Sequence, residues 1–406
     1  MSSNWENTTL GEVLTLQRGM DLPVQDRQIG KFPVVASTGV VGYHTEAPVK
    51  GPGVVIGRSG SIGGGQYINQ DFWPLNTTLW VKDFKGNDPR YCYYLLKAID
   101  FSSMNAGSGV PTLNRNHLHP MRVYRAPIKA QKYIANLLGY MDDSISLLHR
   151  TNTTLESIAK ALFQSWFVDF DPVRAKLDGS QPAGIDEPTA NLFPDTFQDS
   201  ELGNIPKGWT IKPVGEVVDC VGGGTPSTAE LKYWEEGTHH WTTPKDFSSL
   251  QSPILLNTDR KLTDAGIAKI SSGLLPAGTL LLSSRAPVGY LAIASMPVAI
   301  NQGFIALKCN EYASNYFMLN WCQSNMPEIE SRATGTTFAE ISKQNFRPIR
   351  VVLPSKNLMS AFTAKVEPLY EQITANLRQS QTLASLRDTL LPKLLSGELS
   401  VENLQP

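Results

Sequence analysis

The sequence has little net charge and no long apolar run. Its 36 Lys and Arg residues nearly balance 37 Asp and Glu residues, which gives a net charge of −1. This balance excludes a chain that is basic throughout, although a basic face on one part of it stays possible. No apolar stretch approaches the roughly 20 residues of a membrane helix. The N-terminus lacks the basic and apolar regions of a secretory signal. We therefore expect a cytoplasmic protein with no membrane partner.

Cysteine is scarce, and the four cysteines form no Cys-x-x-Cys pair. They are Cys92, Cys220, Cys309 and Cys322. Such isolated positions are typical of reduced thiols in a protein core rather than of metal ligands. His239 and His240 have no spaced acidic or cysteine partner, so they predict no zinc site. We expect no metal on this chain.

Short catalytic motifs are missing as well. The chain has no GxxxxGK[ST] phosphate loop, no GxGxxG between a strand and a helix, no HExxH and no GxSxG. The glycine runs 63–65 and 222–224 lack phosphate-loop spacing and are typical of tight turns. We therefore expect a noncatalytic chain.

What the sequence does contain is an internal repeat. Trp5 with segment 10–13 (LGEV) matches Trp209 with segment 214–217 (VGEV) at an offset of 204. Three more pairs of segments match at offsets of 225 to 227: 57–63 with 284–289, 76–79 with 301–304, and 108–112 with 334–338. The larger offset means that the second copy carries an insertion between Gly223 and Arg285. This insertion predicts either a divergent binding loop or a neutral surface segment.

Each copy ends in five apolar heptads, and the second seam follows the first at an offset of 228. The first seam consists of Ile134, Met141, Leu148, Leu155 and Leu162, with Leu138, Ile145, Asn152, Ala159 and Trp166 four positions after each. The second consists of Phe362, Leu369, Asn376, Leu383 and Leu390, with Val366, Ile373, Ser380, Arg387 and Leu394. This pattern favours two long helices paired as a coiled coil, and the alternative is two helices packed on their own domains. The polar seam residues are predicted to fix the register.

These features predict an α+β chain with two similar domains. Short β-rich runs lie between Gly, Pro and Asn turns, and segments 91–99 and 312–322 are predicted to be helical. The predicted boundaries are a first domain 1–127, a long helix 128–168, a linker 169–207, a second domain 208–354, a long helix 355–396 and a tail 397–406. The Pro- and Gly-rich linker carries a net charge of −5 and is predicted to be extended. The first domain carries +3 and the second carries 0.

The order and twofold occurrence of these segments resemble the specificity (S) subunit of type I restriction-modification enzymes. The resemblance covers nearly the whole chain. It rests on five groups of residues: 57–63 with 76–79, 284–289 with 301–304, LFQSWFV at 162–168, IPKGW at 205–209, and LLPKLLSGEL at 390–399.

This resemblance implies a noncatalytic subunit with two target-recognition domains joined by two antiparallel long helices in a pseudo-twofold arrangement. Its partners would be double-stranded DNA, two methyltransferase (M) subunits and up to two restriction (R) subunits. No cofactor would bind this chain, since S-adenosylmethionine would belong to M, and ATP and Mg²⁺ to R. Because the two domains differ in sequence, we expect an asymmetric bipartite target with an unread spacer, and the helices would set the spacing of the readers.

Polar and basic loop residues are the candidates for DNA contact. In the first domain they are Arg58, Ser59, Asn76, Thr77, Thr112, Asn114, Arg115 and His117. In the second they are Lys245, Arg285, Asn301, Gln302, Thr334, Thr336, Thr337 and Lys343. Several of these residues have a structural alternative: an arginine that binds a backbone carbonyl, or an Asn that shapes a turn.

Five apolar residues near the helix ends are the candidates for M docking, with burial in the helix pair as the alternative. They are Leu162, Phe163, Trp166, Leu390 and Leu394. A different function stays open at this point, namely a noncatalytic module that binds protein or carbohydrate with two β-rich domains on a coiled-coil scaffold. A self-contained nuclease or methyltransferase is the third possibility, which the missing motifs disfavour.

Overall fold

The computed structural model describes residues 5–104, 109–335 and 339–399. Its contacts divide the chain into two units, which we describe separately. Unit 1 consists of residues 1–146 and 380–406, and unit 2 consists of residues 147–379. Each unit therefore contains one globular domain and a segment of each long helix.

The elements alternate between short strands and helices, apart from two helices of 40 residues. The strands are β1 Glu6–Thr9, β2 Thr15–Arg18, β3 Phe32–Ala36, β4 Gly39–His44, β5 Gly53–Gly57, β6 Gly63–Ile68, β7 Trp73–Pro74, β8 Thr78–Asp83, β9 Arg122–Arg125, β10 Phe197–Gln198, β11 Ile205–Pro206, β12 Thr210–Pro213, β13 Asp219–Gly222, β14 His239–Thr242, β15 Ile254–Leu255, β16 Arg260–Leu262, β17 Leu280–Ser284, β18 Val288–Ala294, β19 Val298–Ile300, β20 Phe304–Lys308 and β21 Arg350–Leu353. The α-helices are α1 Leu10–Val13, α2 Pro89–Lys97, α3 Arg115–Leu118, α4 Ile128–Phe167, α5 Asp171–Leu177, α6 Glu187–Ala190, α7 Val214–Val217, α8 Pro244–Phe247, α9 Asp264–Ile267, α10 Asn315–Ser324, α11 Met326–Ser331, α12 Lys343–Phe346 and α13 Lys356–Leu395.

The globular part of unit 1 contains a four-stranded sheet in the order β2-β8-β5-β6 and a three-stranded sheet in the order β4-β3-β7. Helix α2 packs on β5 and β6. It begins where Asp88 caps it, because the Asp88 carboxylate accepts hydrogen bonds from the backbone N–H groups of Arg90 and Tyr91, both at 2.9 Å. Pro89 follows at the first helical position, where a missing N–H costs nothing.

The globular part of unit 2 repeats this plan. Its main sheet has the order β13-β20-β17-β18-β15, so four of its strands reproduce the order in unit 1 and β15 is added at one edge. The connection from β2 to β5 covers positions 19–52, whereas the longer connection between the corresponding strands β13 and β17 covers positions 223–279. The insertion in the second copy therefore lies in this connection, which contains α8, β15 and α9. The predicted α+β fold with two similar domains is confirmed.

The two long helices contact each other in each unit, and in unit 2 they run antiparallel. In unit 1, Asp142 of α4 forms an ion pair with Arg387 of α13. In unit 2, Asn152 pairs with Asn376, whereas Phe163, farther along α4, contacts Phe362, which lies earlier on α13. Asn152 and Asn376 are both buried, and the side-chain NH₂ group of Asn376 donates a 2.8 Å hydrogen bond to the side-chain oxygen of Asn152. Asn152 and Asn376 thus face each other, as a register-setting pair must.

The segment 169–207 is folded, so the prediction of an extended linker is wrong. Helices α5 and α6 and the ribbon β10–β11 form within it. Several of its apolar residues are buried in the core of unit 2, among them Phe170, Val173 and Phe193. Pro172 and Pro188, which suggested an extended chain, lie in the first turns of α5 and α6, where proline is well tolerated.

Candidate nucleic-acid interface

The first predicted loop cluster is assembled at the end of β5. The backbone N–H groups of Arg58 and Ser59 donate to the carbonyl oxygen of Thr77 at 2.8 and 3.1 Å. The N–H group of Leu113 donates to the carbonyl oxygen of Arg58 at 2.8 Å, and Ser59 forms a β-bridge with Thr112. Three segments that are distant in sequence therefore lie side by side.

These segments border an open cleft of about 980 Å³. Four cationic side chains line it: Arg18, Arg58, Lys82 and Arg115. Gln17, Thr112 and Asn114 add polar groups, and among the described residues of this lining Asp21 is the one carboxylate. A cleft with this excess of positive charge concentrates anions, and a fork-shaped guanidinium suits both phosphate oxygens and the edge of guanine.

Several predicted residues of the first domain have structural roles at this cleft. The Arg58 guanidinium lies 3.4 Å from the carbonyl oxygen of Asn76, which is the structural alternative considered for this arginine. The side-chain amide of Asn76 donates to Asp21 and so holds the turn. Asn114 caps α3 by accepting from the N–H group of Asn116 at 3.0 Å. His117 is exposed on α3 and does not line the cleft.

The second domain also has a cleft at the end of β17, and Arg285, the counterpart of Arg58, lines it. The N–H group of Ile341 donates to the carbonyl oxygen of Ser284 at 3.0 Å, and Arg285 forms a β-bridge with Glu340. Asn301 shapes the neighbouring turn, because its side-chain oxygen accepts from the N–H group of Gly303 at 2.8 Å. The repeat therefore brings the same three segments together in both domains.

The second cleft is smaller and less positive. Its volume is about 420 Å³, and Lys245, Arg285 and Asn301 lie along it together with Tyr290. Glu340 lies 3.6 Å from the Arg285 guanidinium and compensates part of its charge. The two clefts share the matched arginines Arg58 and Arg285, but the rest of their linings, their volumes and their charges differ.

Gln302, Thr334 and Lys343 lie outside the lining of this cleft. The side-chain oxygen of Gln302 accepts a 2.6 Å hydrogen bond from Thr225, and the backbone of Thr334 pairs with that of Glu340. Lys343 is exposed on α12 and lies over Gly222. Thr336 and Thr337 lie outside the described residues.

Three of the five predicted docking residues are buried, so the prediction that they form a docking surface is wrong. Phe163 and Trp166 are 3% and 1% exposed in the core of unit 2, and Leu394 is fully buried in unit 1. Their side chains pack in the cores between the long helices and the globular domains. This burial was the alternative to a role in M docking. Leu162 and Leu390 are partly buried against the same cores.

Burial raises the pKa of all four cysteine thiols, which makes them poor nucleophiles at neutral pH. All four thiols are free, and burial raises the pKa of Cys92 to about 12 and that of Cys220 to about 11. No group of three His, Cys, Asp or Glu side chains in the described parts of the chain could hold a metal ion. Nor, over the same ranges, does any helix have the length and apolar character needed to cross a bilayer.

Sequence reasoning missed Gln17, Arg18 and Lys82, which lie on β2 and β8 rather than in loops. These strands pair with each other, Gln17 opposite Trp80 and Arg18 opposite Leu79, and this brings their polar side chains to the cleft. A basic residue at the end of a half-buried strand is the signal that could have found them. The residues that lie beside such a basic residue can be identified only when the strand order is known.

Comparisons with known proteins identify similar sequences and a similar structure. A family model described as "Type I restriction modification DNA specificity domain" matches residues 2–157 and 206–379. The type I restriction enzyme HindI specificity subunit of Haemophilus influenzae is 27% identical over 312 residues, which are 67% of this chain and 67% of that protein. The MjaIX specificity subunit of Methanocaldococcus jannaschii is 29% identical over 192 residues, which are 47% of this chain and 44% of that protein.

A solved structure is similar over nearly the whole chain. The crystal structure of a type I restriction-modification S subunit from M. genitalium has a TM-score of 0.60 at 17% identity, and the match covers 97% of this chain and 96% of that one. At this identity the likeness shows a shared fold. The two stretches matched by the family model contain the clefts of both domains.

Proposed function

This chain belongs to the type I restriction-modification DNA specificity family, and we propose that it reads an asymmetric bipartite DNA sequence with its two clefts. The observation that carries the proposal is the twofold occurrence of one arrangement. An arginine, Arg58 or Arg285, follows a buried strand and lines a cleft in each domain. Arginine contacts with guanine and phosphate are common in DNA recognition.

The difference between the clefts supports two different half-sites. The first cleft has four cationic side chains, whereas the second has Lys245 and Arg285, with Glu340 beside Arg285. We propose that the first domain makes the larger share of phosphate contacts. A carboxylate can accept a hydrogen bond from the amino group of cytosine, so Glu340 would contribute to base reading in the second.

The long helices would set the distance between the half-sites. A helix of 40 residues is about 60 Å long at 1.5 Å per residue. DNA rises about 34 Å in one turn, so helices of this length can hold two readers one or more turns apart. We propose that an unread spacer separates the two half-sites for this reason.

The chain would catalyse no reaction itself and would select the DNA sequence on which a larger enzyme acts. We propose that methyltransferase subunits bind it and carry S-adenosylmethionine, and that restriction subunits carry ATP and Mg²⁺. Exposed apolar residues on α4 replace the buried docking candidates: Tyr140 in unit 1, and Leu147 and Ile158 in unit 2.

Salt-dependent binding by the complex with its methyltransferase partner tests the first cleft. We expect the double variant Arg58→Gln/Arg115→Gln to bind a target duplex more weakly. If both arginines contact phosphates, the slope of log K against log[salt] should fall by about 1.8. The control Lys31→Gln/Lys50→Gln removes two charges in the same domain that do not line the cleft. Unchanged binding by the cleft variant, or equal losses in both variants, would contradict the proposal.

A further inference from the structure

Arg260, on the edge strand β16, holds its guanidinium against an aromatic ring. The central carbon of this group lies 3.6 Å from the centroid of the Trp234 ring and 5.2 Å from that of Trp241. The shorter distance is the spacing of two stacked planes, and arginine commonly stacks on aromatic faces. Arg260 is exposed, and the described residues supply no ion pair and no side-chain hydrogen bond to its guanidinium. Its N–H groups are therefore available to a ligand.

The aromatic side of this stack is held by contacts of its own. Trp241 is buried, and Trp234 packs against it edge to face with the ring centroids 5.0 Å apart. The indole N–H group of Trp234 donates a 3.0 Å hydrogen bond to the carbonyl oxygen of Ser227. Because these contacts fix the ring, the plane of the stacked guanidinium is oriented before a ligand binds, which lowers the entropy cost of binding.

The stack lies near the second cleft, although Arg260 is not part of the cleft lining. Arg260 pairs with Trp241 of β14, and a single residue separates β14 from α8, whose Lys245 lines the cleft. The backbone N–H group of Asp259 donates to the Asp246 carboxylate at 3.3 Å, which ties the start of β16 to α8. The stacked arginine is therefore close to residues proposed to read the second half-site.

The first copy of the repeat has an aliphatic residue at the equivalent position. The sheet β4-β3-β7 corresponds to β16-β14-β19, and Val35 and Trp241 lie beside positions of their third strands that differ by the offset of 225. Val40 is opposite Val35, just as Arg260 is opposite Trp241. Both edge residues are exposed, so the shared scaffold does not require an arginine here. This difference fits a side chain that varies with the half-site of its domain.

The surroundings of Arg260 favour a contact with a base over a contact with a phosphate. Segment 230–264 contains six acidic and four basic residues, whereas phosphate binding relies on an excess of Lys and Arg. A phosphate needs only a positive charge, which a lysine supplies without any stacking partner. An oriented arginine fork, by contrast, matches the O6 and N7 atoms of guanine in the major groove with two hydrogen bonds.

We propose that Arg260 reads a guanine of the second half-site in the major groove, and that Trp234 is a positioning residue that holds its guanidinium. This role rests on the proposed function, since it requires that the second domain reads DNA. Lys261, the next residue of β16, provides a matched control. It is also exposed, and it faces the opposite side of the sheet because successive side chains alternate along a strand.

Binding of synthetic duplexes by the complex of this chain with its methyltransferase partner tests this role. The methylated motif of the wild type, mapped in cells, defines the duplex, and each of its base pairs is then replaced in turn. At one G·C pair, replacement should weaken wild-type binding about 5- to 150-fold and leave the binding of Arg260→Gln and Arg260→Lys nearly unchanged. At the same pair, 7-deazaguanine, which lacks the N7 acceptor, should weaken the binding of the wild type but not that of Arg260→Gln.

The other variants separate positioning from structure. Trp234→Leu should lose the preference at the same pair, whereas Trp234→Phe keeps a ring face and should retain it. Lys261→Gln should bind every duplex as the wild type does. Unfolding curves establish that each variant is folded.

Base preferences of Arg260→Gln equal to those of the wild type, or a second half-site without a G·C pair, would overturn the proposal. Equal weakening of Arg260→Gln on all duplexes, with the slope of log K against log[salt] reduced by about 0.9, would identify a phosphate contact and overturn it as well. Arg285→Gln in the same assay separates this role from the proposed function. If Arg285→Gln alters a base preference and Arg260→Gln does not, only the role of Arg260 is refuted. If the wild type discriminates at no base pair, the proposed function fails together with it.

Discussion

The ion pair between Asp142 and Arg387 gives a quantitative test of how the long helices pack in unit 1. The two side chains are 20% and 15% exposed. Asp142 also accepts a 2.6 Å hydrogen bond from the Tyr94 hydroxyl, which ties the helix pair to the globular domain. Removing one partner of a buried pair costs about 3–5 kcal/mol. Because Tyr94 remains and some solvent reaches the pair, we expect Arg387→Leu to cost about 2–3 kcal/mol.

Chemical and thermal unfolding of the full chain measure this cost. The unfolding temperature of the transition that includes unit 1 should fall by roughly 5–10 °C. The double variant Asp142→Asn/Arg387→Leu should recover more than half of the loss, since no buried charge is left unpaired. Arg332→Leu is the control, because its ion pair with Glu328 is 36% and 48% exposed and should contribute less than about 0.5 kcal/mol. Equal effects of Arg387→Leu and Arg332→Leu would refute the reasoning.

Three further predictions concern groups away from the clefts. Asn376→Leu should cost about 1–3 kcal/mol in urea unfolding by leaving Asn152 unpaired, and the double Leu variant should recover stability; a harmless single variant would contradict this. Burial lowers the pKa of His119 below its ordinary 6.5, so the folded state favours the neutral imidazole. The neutral imidazole contributes stability at neutral pH, and this contribution is lost as the pH falls below about 6.5. The stability of the His119→Gln variant should therefore fall less steeply with acid than that of the wild type, and an unchanged pH profile would contradict this. Cys92 and Cys220, with pKa values of about 12 and 11, should resist a thiol reagent at pH 8 until the chain unfolds; rapid native labelling would contradict their burial.

The repeat and the long helices were predictable from the sequence because their signals are local or periodic. The heptad pattern extends over five repeats in each copy, and Asn152 and Asn376 interrupt it where the buried pair forms. The segments around Arg58 and Thr112 were both predicted to contact DNA. Their counterparts around Arg285 and Thr334 recur in the same order in the second copy.

Features that depend on long-range pairing were not predictable. Arg18 and Lys82 reach the first cleft because β2 pairs with β8. The sequence of either strand alone does not show which strand it pairs with. The burial of Trp166 is similar, since an apolar residue near a helix end fits a core and an interface equally well. In segment 169–207, proline suggested an open chain, whereas Phe193 and its apolar neighbours supply enough buried surface to fold it.

Mapping the methylated DNA motif in cells tests the central claim most directly. Cells would carry this chain with its methyltransferase partner, either unchanged or with the first-cleft triple variant Thr112→Ala/Asn114→Ala/Arg115→Ala. The second-cleft variant Lys245→Ala/Arg285→Ala serves as the matched comparison. We predict that each variant relaxes or changes one half of a bipartite motif and leaves the other half and the spacer length unchanged. Changes in both halves from either variant, or an unchanged motif from both, would contradict the account.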